Sequence, residues 1–406
     1  MSNVVPEGWE VSQISKTCEI LDSKRIPLNS QERSQRIGDY PYYGANGVQG
    51  YIDAYIFEGE HVLLAEDGGN FEQWESRPIS YLVNGKFWVN NHAHILKAKG
   101  DNLTKFIHFS LVHKNILKHI NGGTRSKLNQ ADMRSIDFLR PPLPEQKKIA
   151  AILTSVDEVI EKTQAQIDKL KDLKTAMMQE LLTCGVGVEG KPHTEFKDSP
   201  VGRIPKGWEV VRISQLCSHI VDCVNKTAPV VDYSTPYKMI RTTNVRHGRV
   251  DTVNVRNVIK ETYEAWTRRL LPMNGDLIFT REAPVGECGI LEDSRGVFLG
   301  QRTMMYRADN EKTSSLFLMY SLMSEYGKQQ LEDFSGGSTV PHMRVPDCEK
   351  ILIKLPSLGE QKKIIDSLKS VDNLIQIKET KSTSLQNTKK ALMQDLLTGK
   401  VRVKVD

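Results

Sequence analysis

The sequence predicts an α+β fold: two pseudo-symmetric bodies of mixed α/β texture, each followed by a long coiled-coil helix. Three observations predict it. The stretch from Glu145 to Thr183 is nearly repeated from Glu360 to Thr398, with 18 of 39 ungapped pairs identical. Residues 4–15, VVPEGWEVSQIS, return as residues 203–214, RIPKGWEVVRIS. Between these shared segments, both copies hold short apolar runs separated by Gly and Asn turns, the texture of mixed α/β structure.

Each element follows in chain order. Pro-x-Gly-Trp-Glu-Val reads as a turn entering a strand. The first body, to residue 144, then holds YGANGVQGYID, HVLLAED, PISYLV and AHILKA. FIHFSLVHKNILKHI has a helical pattern and stops before Gly122-Gly123, as a helix C-terminus does. A polar loop, a short apolar strand and the corner at Pro141-Pro142 lead into the first long helix, 145–184. Its residues Ile149, Leu153, Val156, Ile160, Thr163, Ile167, Leu170, Lys174, Met177 and Leu181 follow at steps of four and three, the coiled-coil period. A Gly-, Pro- and charge-rich link, 185–203, reads as an exposed connection. The second body, 204–357, repeats the order with different letters: YKMIRTTNV, DLIFTRE, CGILED, RTMMYRA, then the helical SLFLMYSLMSEYGKQQLEDF before Gly336-Gly337. The second long helix and tail, 358–406, keep Ile364, Leu368, Val371, Ile375, Leu385, Leu392 and Leu396 on the seam, with Lys378 and Ser382 breaking it. At about 1.5 Å per residue each helix is roughly 50 Å long. Matching seams predict that they pair, Ile149, Leu153, Val156 and Ile160 in one and Ile364, Leu368, Val371 and Ile375 in the other.

Bulk properties narrow the function classes. The 406 residues suffice for two or three domains, and 39% apolar with 26% charged content describes an ordinary soluble protein. No apolar run is long enough to span a membrane, and no basic-then-apolar start marks a signal peptide. Six scattered cysteines without a Cys-x-x-Cys read as reduced thiols of a cytosolic protein. The net charge of +5 permits a nucleic-acid partner without requiring one.

Several motifs invite a catalytic or metal reading and fail on context. Gly185-Val-Gly-Val-Glu-Gly-Lys191 fits phosphate-loop spacings, yet it follows a helix, and Pro192 stands where a magnesium-binding Ser or Thr belongs. It reads as a helix cap and linker. His92-Ala-His94 and the group Cys217, His219, Cys223 lack the second ligand pair of a zinc site and read as structural. Pro141-Pro142 lacks the amide before it and the aromatic after it that an amino-methyltransferase motif needs. The expectation is a chain with no catalytic residues and no metal.

Polar loops are the better candidates. Arg241, Thr243, Asn244, Arg246 and Arg249 cluster around one turn, and Arg281 and Arg302 end or begin apolar strands of the same body. In the first body Tyr42, Tyr43, Asn46 and Gln49 interrupt a Gly-rich turn, and Thr124, Arg125, Ser126 and Lys127 follow the Gly pair. Ser338, Thr339 and His342 occupy the matching loop of the second body. Arg and Lys grip guanine O6 and N7 and Asn grips adenine N6 and N7, so the set suits DNA contact. Solvated loops and local ion pairs are the bland alternative for any one of these residues.

With the two Gly-Trp-Glu-Val starts, the Gly-Gly loops and the two Glu-Gln-Lys-Lys-Ile helices in place, the whole chain resembles a specificity subunit of a type I restriction–modification system. The resemblance implies two target-recognition domains separated by two long antiparallel coiled-coil helices, each domain reading one half of a split site in double-stranded DNA. It implies docking of two adenine methyltransferase subunits and of restriction/translocase subunits. S-adenosylmethionine, ATP and Mg would then belong to those partners, with no cofactor on this chain, in a cytoplasmic, nucleoid-associated complex. Half-sites on one face of DNA lie about 34–36 Å apart per turn, within the span of such helices. The alternatives are a coiled-coil scaffold, a stand-alone DNA-binding protein, and a stand-alone methyltransferase or nuclease.

Overall fold

The computed structural model describes residues 5–122, 126–187, 191–335 and 341–405. It forms two compact units, Met1–Ala165 with Glu379–Asp406, and Gln166–Lys378.

In the first unit, β1 (Glu10–Gln13) enters from the Gly-Trp turn, and a helical turn, α1 (Ile14–Thr17), leads to β2 (Cys18–Ile20). Helix α2 (Ser30–Ser34) precedes β3 (Tyr40–Gly44), β4 (Gly47–Ile52), β5 (Phe57–Glu58), β6 (His61–Ala65), β7 (Ser80–Val83), β8 (Lys86–Val89) and β9 (Ala93–Ala98). Two four-stranded sheets result, ordered β2-β9-β6-β7 and β4-β3-β8-β5. All five residues of β6 are buried, which is why HVLLA is a continuous apolar run and not an alternating one. Helix α3 (Thr104–Leu111) covers the sheet, and a short helix α4 (Gln130–Arg134) leads to β10 (Asp137–Arg140), which pairs antiparallel with β1. Helix α5 then runs Leu143–Leu181.

The second unit repeats this order. A small pair, β11 (Phe196–Lys197) and β12 (Ile204–Pro205), precedes β13 (Glu209–Arg212) and β14 (Cys217–Asp222). Then come β15 (Lys238–Ile240), β16 (Val245–Arg246), β17 (Gly248–Val250), β18 (Arg256–Asn257), α6 (Lys260–Trp266), β19 (Leu277–Arg281), β20 (Val285–Ile290), β21 (Val297–Leu299) and β22 (Thr303–Ala308). Helices α7 (Ser315–Met323), α8 (Glu325–Ser335) and α9 (Val345–Cys348) precede β23 (Leu352–Leu355), the antiparallel partner of β13, and α10 (Leu358–Leu397). The sheets are β14-β22-β19-β20-β17-β16 and β18-β15-β21.

The duplicated sequence motifs are explained inside each unit by one latch. Trp9 Nε1 donates to Glu145 at 3.2 Å, and Trp208 Nε1 donates to Glu360 at 2.9 Å. The turn tryptophan is thus tied to the first turn of the long helix. The neighbouring glutamine completes the latch: Gln146 Nε2 donates to Pro141 O and Gln361 Nε2 to Pro356 O. Buried carboxylates need charge-assisted partners. Arg402 supplies them to Glu145, at 2.6 and 3.0 Å. Glu360 takes His193 at 2.9 Å and the backbone N–H groups of Val186 and Gly187. Gly185 and Gly187 have positive φ, so the Gly-x-Gly spacing does build an anion nest. Its anion is a carboxylate of this chain.

Each core draws on the start of one long helix and the end of the other. Ile149 and Leu153 join Met393 and Leu396 in the first unit, and Met178 and Leu182 join Ile364 and Leu368 in the second. The helices pair antiparallel in both places. Asp157 meets Lys389 at 2.5 Å in the first unit, and Lys174 meets Asp372 at 2.6 Å in the second. Val371 and Ile375 are buried, whereas Val156 and Ile160 are half-buried. Ser382, which breaks the apolar seam in sequence, is 7% exposed and lies inside it, as does Thr163 at 3%.

The first helical stretch before a Gly pair is shorter than its pattern suggests, and the second is helical as expected but broken once. FIHFSLVHKNILKHI is helical only over Thr104–Leu111, with a 3-10 turn at Leu117–His119. His113 turns away to bond Trp74 O at 2.7 Å, and Asn115 caps the Leu117 N–H. In the second, Ser324 separates α7 from α8, its hydroxyl donating to Ser321 O and accepting from Gly327 N.

Candidate functional site

In the second unit the ends of several strands converge on one edge. β15 and β21 run parallel there, and Gly300 N donates to Ile240 O at 2.7 Å, setting Arg241 beside the 300–302 turn. Arg281 N donates to Arg302 O, Met343 N donates to Arg281 O, and Glu282 pairs with His342. Arg281, Arg302 and His342 are therefore brought together. Arg302 is half exposed, with Nε 3.3 Å from Glu282. The Nε atoms of Arg241 and Arg281 are buried without a hydrogen-bond partner among the described residues. Arg281 is nonetheless tied within the chain, its Nη1 donating to Met343 O at 3.1 Å, which fixes its guanidinium to the loop that carries His342.

Backbone strain gathers in the same loops. Among the described residues, the non-glycine residues with positive φ are His247 at 52°, Ala283 at 51° and Arg302 at 72°. Ala283 and Arg302 flank the converging edge, and His247 follows Arg246 directly. Side chains with a β-carbon disfavour this region, and such outliers cluster at sites that need a set geometry.

The first unit builds the same edge with other side chains. β3 and β8 run parallel, and Asn90 N donates to Tyr43 O at 3.0 Å. Glu66 N donates to His92 O at 2.8 Å, Leu128 N donates to Glu66 O at 2.7 Å, and Asp67 pairs with Lys127. Four backbone contacts thus match between units. Glu66 stands where Arg281 stands, His92 where Arg302 stands, and Lys127 where His342 stands.

Beneath this first edge lies a charged network. His94 is buried, with Nδ1 2.6 Å from Asp22 and Nε2 2.9 Å from Leu128 O. Arg25 bonds Glu66 at 2.7 Å, and Gln130 bonds Asp22 at 2.9 Å. Burial pushes the Asp22 carboxyl up, but hydrogen bonds from His94, Gln130 and Ile95 N outweigh it and hold the carboxyl below its ordinary value. Asp22, Glu66 and His94 have metal-ligand spacing, but Arg25 already supplies the cation that the carboxylates face. The network fastens Leu128 and Gln130, which follow the first Gly pair. His92 is separate from it, with Nδ1 2.8 Å from Asp67; the two imidazoles of His92-Ala-His94 serve different neighbours.

The remaining sequence candidates divide. Tyr42 is only 2% exposed and packs with Ile52 and Trp88; burial pushes its phenol up. Tyr43 is half-buried, edge-on to Phe87 at 5.9 Å. Asn46 is exposed and donates to Gly68 O at 2.9 Å. Asn244 is 5% exposed; its Oδ1 accepts from Arg241 N, and its Nδ2 donates to Asn254 O. It shapes the turn that presents Arg241 and Arg246. Thr243 is exposed, and Arg246 donates to Thr242 O and Val245 O. Thr124, Arg125, Ser338 and Thr339 lie outside the described residues.

The sequence profile of the "Type I restriction modification DNA specificity domain" matches twice, over residues 6–172 and 205–387. The chain belongs to this family.

Among its relatives, the type I restriction enzyme MjaVIII specificity subunit of Methanocaldococcus jannaschii is 30% identical, over 98% of this chain and 94% of that protein. The EcoBI specificity subunit of Escherichia coli is 22% identical, over 80% and 68%. The crystal structure of a type I restriction–modification S subunit from M. genitalium shares the fold, at a TM-score of 0.61 and 13% identity, over 96% of each chain.

In this specificity subunit the sequence candidates missed several edge residues. Asn91 and Gln301 occupy the middle of the matched turns Asn90-Asn91-His92 and Gly300-Gln301-Arg302, and both are exposed. Arg33 places its guanidinium 5.1 Å over the Tyr42 ring. With Gln49, Asn90 and His92 it lines a polar cavity of ≈ 420 Å³. The signal was present: apolar runs ending in VNNHA and LGQRT sit at the same place in both bodies.

Proposed function

We propose that this specificity subunit binds a bipartite, asymmetric site in double-stranded DNA, one half read at the converging edge of each unit. One observation carries the reading. The two edges share a backbone frame but differ in nearly every side chain, which suits one mode of docking on two different half-sequences. The half-exposed Arg302 guanidinium and the strained loops at the second edge support contact with phosphates and base edges. The paired long helices set the spacing between half-sites and dock two adenine methyltransferase subunits. Exposed Val159 and Leu374, at corresponding positions of the two copies, support a helical partner. Restriction/translocase subunits join that core. S-adenosylmethionine, ATP and Mg act on the partners, and the assembly works in the cytoplasm on the nucleoid.

Duplex binding as a function of salt tests the DNA reading against a protein-only scaffold. Neutralised phosphates make affinity fall steeply with salt, with a log–log slope of about −0.9 per phosphate contacted. A slope near zero would leave the scaffold.

A further inference from the structure

Each unit presents one three-residue turn at its edge, and its outer residues are spoken for. Asn90 and Gly300 donate their N–H to β3 and β15, while His92 and Arg302 accept from Glu66 and Arg281 through their carbonyls. The middle residue is an exposed carboxamide in both units, although the turns share no residue. Asn91 makes no hydrogen bond to any described residue and borders the ≈ 420 Å³ cavity, which gives a base edge room to approach. Among the described residues Gln301 engages only its Oε1, 3.2 Å from Thr227 Oγ1, leaving its NH₂ group. A carboxamide with donor and acceptor side by side is the group that pairs with N6 and N7 of adenine in the major groove.

We propose that Asn91 and Gln301 are specificity-determining residues, each contacting an adenine, one in each half-site. The inference rests on the two-reader reading above. Its test is selection from a pool of random-sequence duplexes by the full-length chain, followed by sequencing of the bound DNA. N91A is expected to relax one A·T position in one half by roughly 5- to 150-fold, the worth of a good bidentate pair, and Q301A to do the same in the other half. N91D, which can only accept, is expected to move the preference at its position toward cytosine, whose N4 donates. The inference is overturned if the wild type selects a two-part motif and N91A and Q301A select it unchanged, or if the relaxed position is G·C. A wild-type chain that selects no two-part motif overturns the two-reader reading itself, and this inference with it.

Discussion

Lys174 places its ammonium 2.6 Å from the Asp372 carboxylate and 5.5 Å from the centre of the Tyr320 ring. Its counterpart in the duplication, Lys389, does the same with Asp157 and Phe109. Each copy therefore lends its lysine to the other copy's aspartate, and this exchange accounts for a lysine on an apolar seam. Partly buried ion pairs of this kind fix orientation and register more than they add stability.

Removing one partner should expose that cost. Lys174→Met is expected to destabilise the second unit by about 1–2 kcal/mol by removing the cation from Asp372, whose carboxylate keeps the Tyr320 hydroxyl at 2.7 Å, whereas Lys174→Met with Asp372→Asn recovers part of it. Denaturant unfolding of Lys174→Met, Asp372→Asn and the double variant measures the coupling, and strictly additive losses would count against the pair.

The tryptophan latch makes a stronger prediction. Glu360→Ala leaves Trp208, His193 and two backbone N–H groups without their acceptor, and about 3 kcal/mol of stability should go with it. Thermal unfolding followed by tryptophan fluorescence reads this directly.

Acid should weaken the first unit at a particular place. Burial, then the charges of Lys389 and His113, push the His108 imidazole down to about 3. The unfolded chain, with an ordinary value near ~6.5, binds more protons between those limits. Stability is therefore full above that range and lost as pH falls through it, by about 1 kcal/mol at pH 5 after allowance for solvent screening. His108→Gln should flatten that part of the stability–pH curve.

Arg302 separates recognition from folding. Arg302→Gly relieves a positive φ and gives up only an exposed contact to Glu282, so stability should hold or rise by up to about 1 kcal/mol. Duplex affinity is expected to fall, with the loss confined to one half-site. Asn244→Ala should do the opposite first, lowering stability by about 1–2 kcal/mol through two lost hydrogen bonds.

Much of this was legible in the sequence because duplication printed each structural constraint twice. The Gly-Trp and Glu-Gln pairs recur since the Trp–Glu latch recurs, and the heptad steps recur since both helices pair. The edge residues were harder to read. Asn244 and Tyr42 have the composition of a reader but are consumed by turn and core, because side-chain type does not report burial. Asn91 and Gln301 were hidden because their significance lies in a shared backbone position, fixed by β6–β9 and β19–β22 pairing. The first helix before a Gly pair ends early and the second breaks once because local caps at Asn115 and Ser324 outweigh the apolar period.

The helix pair as a ruler has its own test. Adding or deleting one turn within 163–170 should change the permitted spacing between half-sites and leave both half-sequences intact. An unchanged spacing would remove the ruler while sparing the readers.

Genome-wide mapping of methyladenine, with and without this gene, tests the central claim most directly. A split motif of two unlike halves that vanishes with the gene is the predicted result. A single uninterrupted motif, or a methylation pattern indifferent to the gene, would contradict it.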